Sequence, residues 1–124
     1  NRYGSDWLVW KGSDTFAPLG PFIVPAEFVE NPHTLDIQFR LSGELMQDAN
    51  TELMQHSVDE LVQFVSNNII LKPGDVIATG TPGGVGYART PPVFMEPGDV
   101  AECSVEGIGT LTNPVMRWED VIPR

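Results

Sequence analysis

The segment TLDIQFRL, Thr34 to Leu41, alternates without a break: Leu35, Ile37, Phe39 and Leu41 share one face, and Asp36, Gln38 and Arg40 share the other. Successive side chains of a strand point to opposite sides, so this pattern describes a half-buried strand. Ser42 and Gly43 suit a two-residue turn, and ELMQDAN returns as the partner strand of a hairpin.

The period then changes. In SVDELVQFVSNNII, the residues Val58, Leu61, Val62, Val65 and Ile69 form one helical stripe. Ser57 and Glu60 have the spacing of a capping box, in which a hydroxyl and a carboxylate each bond the other residue's backbone N–H. The acidic residues of this segment read as a cap and a solvated face.

A device follows twice, as KPGDVIATG and EPGDVAECS. Proline presets the first central φ of a type II turn and glycine tolerates positive φ at the second, so each copy reads as a turn that launches a strand. Asp75 and Asp99 are placed to close these turns. The strand over Val76 to Thr79 is apolar on both faces and is expected to be central. The second strand continues through EGIGTLTNPV into a turn and a further strand. Residues 1–25 are crowded with Gly, Pro, Asp and aromatics and read as irregular chain with brief strands. Five to seven strands with one clear helix make the class mostly β, an α+β fold.

Composition excludes several roles. The 124 residues fit one domain, and at 41% hydrophobic content they are expected to bury a core. No apolar run approaches the roughly 20 residues of a membrane span, and no secretory signal pattern is present, so a soluble protein is expected. A formal charge of -10 repels nucleic-acid phosphates and anionic membranes alike. The single cysteine, Cys103, cannot form an intrachain disulfide and favours a reducing compartment, the cytoplasm. It reads as a buried, inert thiol, and any nucleophilic role would need His33 or His56 beside it.

VIATGTPGGVGYARTPP resembles a phosphate cradle at first sight. A Walker loop needs a lysine after its last glycine, and a dinucleotide fingerprint needs a helix; YARTPP supplies neither. Two readings remain: a structural turn, or a strand end whose Thr79 and Thr81 hydroxyls and N–H groups around Gly80 bind an anionic oxygen. Asp75, Asp99 and Glu102 have no paired spacing that marks a metal site. Lys11 and Lys72 are the only lysines. Lys11 stands among apolar and aromatic neighbours, either by chance at the surface or to pair with a carboxylate or enolate.

Read in order, KGSDTFAPLGPFIVP, LDIQFRLSGELMQ, LKPGDVIATGTPGGVG and EPGDVAECSVEGIGTLTNPV resemble the C-terminal part of the fumarylacetoacetate hydrolase catalytic domain, from about Tyr3 to Val115. The order of the pieces, with TGTP and GIG among them, carries the resemblance. It implies that residues 1–124 are the C-terminal portion of one catalytic domain with a mixed β-roll, in a homodimer. It also implies Mg²⁺ or Mn²⁺ held by three carboxylates. Substrates of such enzymes are 2-oxo acids and 1,3-dicarbonyl compounds, and acylpyruvate-type C–C hydrolysis is the expected reaction. Oxaloacetate decarboxylation and dioate isomerisation are the alternatives within the family.

The resemblance also implies roles by position. Lys11 matches a lysine that reaches metal-site and substrate oxygens. Thr81, with Gly80, matches the threonine that contacts the substrate carboxylate or oxyanion. Thr15 falls where some members place a residue beside the metal, and Glu102 aligns with a glutamate that orients a catalytic histidine in some members. Trp10 replaces a smaller residue and is expected to narrow the pocket. The family's E-x-E pair, its following aspartate and the lid base would lie upstream of this sequence. The expectation is therefore a competent parent enzyme and an inactive isolated fragment; a metal-free binding or assembly module is the contrasting class.

Overall fold

The structure, a computed structural model, describes residues 11–121. Trp10 and the start of the irregular opening lie outside the described residues. Four strands form one sheet: β1 (Asp36–Leu41), β2 (Glu44–Asn50), β3 (Val100–Val105) and β4 (Gly109–Pro114). Their order is β2-β1-β3-β4, and every pairing is antiparallel. The sheet is thus two hairpins zipped together along β1 and β3.

The first hairpin turns on Ser42 at φ 50 and Gly43 at φ 87. Positive φ at both central positions gives the turn the twist that its two strands need. Ser42 tolerates this conformation while its groups bind β3's start: its N–H donates to Val100 O at 2.8 Å, and its hydroxyl donates to Asp99 Oδ1 at 2.7 Å. At the opposite end of β1, Asp36 O accepts from Glu106 N at 2.8 Å. Both ends of the seam between the hairpins are therefore tied.

Beyond the turn the ladder shifts register. Leu41 faces Glu44 and Arg40 faces Leu45, but Phe39 faces Gln47, leaving Met46 as an extra residue in a β-bulge. A one-residue shift exchanges the two faces of a strand. Gln47 therefore joins Phe39, and through it Cys103 and Leu111, on the apolar side of the sheet. Arg40, Glu102 and Thr112 share the other side.

Residues 51–99 connect β2 to β3 and carry α1 (Val58–Ser66). Its capping box is complete: Glu60 N donates to Ser57 Oγ at 3.2 Å, and Ser57 N donates to Glu60 Oε2 at 2.8 Å. His33 adds a second cap, its Nε2 accepting from Val58 N at 2.9 Å. Asn67 caps the C-terminal end, so the helical stripe stops short of Ile69, which is 62% exposed. A four-residue helix, α2 (Trp118–Val121), follows β4.

Several expectations require correction. Residues 76–79 lie outside any strand, and Val76 is 67% exposed. An apolar run becomes a strand only where another strand accepts its ladder, and none lies beside it among the described residues. Four strands are present among the described residues, fewer than the five to seven expected. The described part of the opening segment, residues 11–25, holds no strand, and a 3-10 turn, Ala26–Phe28, follows it.

The expected core is also small: among the described residues only Leu41 and Met46 are buried, at 9% and 6% exposure. Among the described residues, one sheet layer and two short helices offer too little second layer to cover Phe22, Phe28, Phe64 and Phe94, which stay exposed.

Candidate functional site

β2 is an edge strand, and edge strands need cover. Here the cover is the glycine loop. Gln47 Nε2 donates to Pro82 O at 2.8 Å and Thr81 Oγ1 at 3.0 Å, with Gly83 O at 3.3 Å sharing the donor. Arg89 Nε donates to Gly84 O at 3.1 Å, and its Nη2 donates to Met46 O. The bulge thus supplies an amide on one side and a backbone carbonyl on the other, and the loop is fastened to both.

This close approach explains the glycines. A Cβ on Gly84 would lie 2.4 Å from Met46 O, and one on Gly86 would lie 2.1 Å from Val93 O. Neither distance is available to a real side chain. Gly80 differs, with φ 106 and nothing within 4 Å of its would-be Cβ, so backbone conformation alone selects glycine there. It turns the chain between Thr79 and Thr81, both exposed.

Gly80 and Thr81 form the exposed shoulder of this loop. Lys11 is exposed too, and Thr15 adopts φ 68 in the left-handed region. Glu102 is half-buried on β3, opposite Arg40 and Thr112. It sits on the face opposite Phe39 and Gln47, so the sheet does not bring Glu102 to the side that holds Thr81. Both histidines serve α1 instead: His33 caps it, and His56 Nδ1 lies 3.9 Å from Glu60 Oε2. Two open depressions of 450 and 520 Å³ flank Glu106–Ile108, and neither is lined by Lys11, Gly80, Thr81 or Glu102.

Cys103 is half-buried between Phe39 and Leu111, and desolvation raises its thiol pKa. A raised pKa keeps it protonated, the inert state expected from its sequence. Asp75 and Asp99 close their own turns, accepting from Lys72 N at 2.7 Å and Glu96 N at 2.8 Å. They are structural residues and leave no free pair for a cation.

Gln47 and Arg89 are the site residues that sequence reasoning missed. With a regular two-residue hairpin Gln47 would pair with Gln38 on the polar face, where a glutamine attracts no attention. Only the bulge turns it toward the loop.

These features meet in the matches to known proteins. Residues 1–116 match the family described as Fumarylacetoacetate (FAA) hydrolase C-terminal. The chain belongs to the fumarylacetoacetate hydrolase family. A relative in that family, oxaloacetate tautomerase FAHD2B, mitochondrial, of Bos taurus, is 48% identical over 115 residues, covering 93% of this chain and 37% of the relative. The chain therefore spans little more than a third of that relative's length.

A solved fumarylacetoacetate hydrolase from psychrophilic Exiguobacterium antarcticum superposes with a TM-score of 0.81 at 44% identity, covering 84% of this chain and 37% of that one. Maleylpyruvate hydrolase from Sphingobium sp. SYK-6, solved with manganese (II) ion and pyruvate, gives a TM-score of 0.74 at 37% identity, covering 83% and 36%. The fold is the family's, and the relatives are enzymes.

The related maleylpyruvate hydrolase holds manganese (II), but the described residues of this chain do not by themselves fit a divalent metal. Among them no three His, Cys, Asp or Glu side chains converge. The carbonyl oxygens of the glycine loop nearest the sheet are already bonded to Gln47 or Arg89.

Proposed function

We propose that this chain is the carboxylate-binding part of an enzyme that interconverts short 2-oxo acids through an enol or enolate, with oxaloacetate tautomerisation as its first reaction. The single observation that carries the reading is the Thr81 hydroxyl: exposed beside Gly80, it accepts a hydrogen bond from Gln47 and is left to donate its own proton outward. An outward O–H on a loop fastened by Gln47 and Arg89 suits a carboxylate oxygen. The 48% identity to an oxaloacetate tautomerase favours that substrate class.

In tautomerisation the enol hydroxyl loses a proton and the adjacent carbon gains one. The groups needed are those that hold the carboxylates still and oppose the negative charge that develops on the enolate oxygen. Thr81 does the first. The ammonium of Lys11 does the second, as a compact charge on a flexible stem. Acylpyruvate-type C–C hydrolysis is the second reading, favoured by the likeness to maleylpyruvate hydrolase. It uses the same carboxylate contact and adds a water attack.

A divalent ion, Mg²⁺ or Mn²⁺, belongs to this reading with its carboxylate ligands outside the described residues. The exposed apolar side chains support burial against the remainder of a longer catalytic unit and against a second copy in a homodimer. The lone thiol supports a reducing compartment such as the cytoplasm, while the Bos taurus relative is named as mitochondrial.

The test is an assay of the protein that carries this chain, with Mg²⁺ or Mn²⁺, against oxaloacetate and acylpyruvates. Faster decay of the oxaloacetate enol absorbance supports tautomerisation, and pyruvate release from acylpyruvates supports hydrolysis. No turnover of either overturns the reading. Lys11→Ala is expected to lower turnover at least about tenfold, as for loss of a charged transition-state contact. Unchanged turnover would remove Lys11 from the mechanism.

A further inference from the structure

The amide of Gln47 has only one orientation consistent with its surroundings. Pro82 O at 2.8 Å and Gly83 O at 3.3 Å are carbonyl acceptors, so the group facing them is the NH₂ and not the amide oxygen. That NH₂ has no acceptor capacity. Thr81 Oγ1, 3.0 Å away, therefore receives a proton from Gln47 and cannot donate one back.

A threonine hydroxyl has one proton and two lone pairs. Once one lone pair is occupied by Gln47, the proton must point elsewhere, and among the described residues Thr81 donates to no acceptor. Gln47 thus does to Thr81 what a partner does to a histidine: it chooses which end of the group is a donor.

We propose that Gln47 is a positioning residue, orienting the Thr81 hydroxyl as a donor toward a substrate carboxylate. The Met46 bulge is the backbone device that makes this possible. The bulge brings Gln47 onto the side of the sheet nearest the loop, while Arg89 clamps the same loop through Gly84 O and Met46 O. The amide's three contacts also hold Thr81, Pro82 and Gly83 in fixed relation. The inference rests on the reading that Thr81 binds the carboxylate, and the experiment separates the two.

The protein that carries this chain is titrated with pyruvate by calorimetry, in the presence of the metal that supports turnover, as wild type, Thr81→Ala, Gln47→Ala and the double variant. A lost hydrogen bond to a charged group is worth about tenfold in affinity. Each single variant is expected to weaken pyruvate binding about tenfold, and the double variant no more than about twofold beyond Thr81→Ala, because Gln47 acts through the hydroxyl that is already gone.

In turnover, KM for oxaloacetate rises in Gln47→Ala by a similar factor, with kcat changed less. Thr81→Ala binding pyruvate like wild type overturns the Thr81 reading and the proposal with it. A tenfold loss in Thr81→Ala with wild-type affinity in Gln47→Ala, or losses that multiply to about a hundredfold in the double variant, overturns the positioning role alone. If Gln47→Ala does not fold, Gln47→Met, of similar length and without a donor, takes its place in the cycle.

Discussion

The two Pro-Gly-Asp turns are nearly the same object locally and lead to different structures. Gly74 adopts φ 97 and Gly98 φ 103, and each aspartate accepts from the backbone N–H three residues earlier. Yet Val100–Val105 is a central strand, while the chain after Asp75 joins no ladder among the described residues. The second turn has a partner waiting: Asp99 also accepts from the Ser42 hydroxyl, Val100 O accepts from Ser42 N, and β1 lies alongside. The first turn leads into residues 76–80, and the chain is fastened to the sheet further on, where Gln47 and Arg89 grip the loop. A turn supplies direction; a strand needs a neighbour with free N–H and C=O groups.

The largest effect should come from Gly84→Ala, which attacks the region after the first turn where it is fastened to β2. A Cβ 2.4 Å from Met46 O, added at φ 98, must displace backbone. Urea denaturation of the protein that carries this chain is expected to show a loss on the order of 3 kcal/mol. Amide exchange should rise first along residues 81–89 and leave β3 protected.

Gly74→Ala and Gly98→Ala should each cost about 1–2 kcal/mol and should be equal, since both positions have positive φ and open space around the missing Cβ. Unequal losses would show that the two turns are not local equivalents.

Ser42→Ala should cost about 1 kcal/mol. It removes the hydroxyl shared by Asp99 Oδ1 and Val100 N, the bond that distinguishes the second turn from the first. Its loss should appear as faster exchange at the start of β3 and not near Asp75.

The smallest effect is that of pH. The Glu96 N–H first, and the Ser42 hydroxyl second, hold the Asp99 carboxyl below its ordinary value of 3.8, against a smaller desolvation effect. A lowered folded pKa means that the stabilisation is fully present above the ordinary value and disappears as pH falls through the lowered one. Acid unfolding curves should therefore steepen below about pH 4, and Asp99→Asn should flatten that limb. Glu60, lowered chiefly by the Ser57 backbone N–H, acts in the same direction through the cap of α1.

Much of the fold was legible from residues alone because it is written in local chemistry. The first hairpin, its Ser42-Gly43 turn, the Ser57/Glu60 capping box and both Pro-Gly-Asp turns each depend on a few neighbouring side chains and on φ preferences that do not wait for a partner. The order of these motifs, with TGTP and GIG, also led to the family. Of the site, Thr81 and Gly80 could be singled out, since a threonine after a glycine at a strand-like end is a visible pattern.

What only the tertiary structure decided depends on distant groups. Residues 76–79 have the apolar content of a central strand but, among the described residues, no ladder to join. The 41% apolar composition did not become a large core among the described residues, because one sheet and two short helices provide little second layer there. Glu102, a candidate site residue by sequence, is turned to the face opposite Gln47 by the alternation of β3. Above all, the role of Gln47 follows from one extra residue in β2. A bulge has no reliable signature in a single sequence, and because side chains alternate with a period of two, that residue exchanges the faces and aims an otherwise unremarked amide at Thr81.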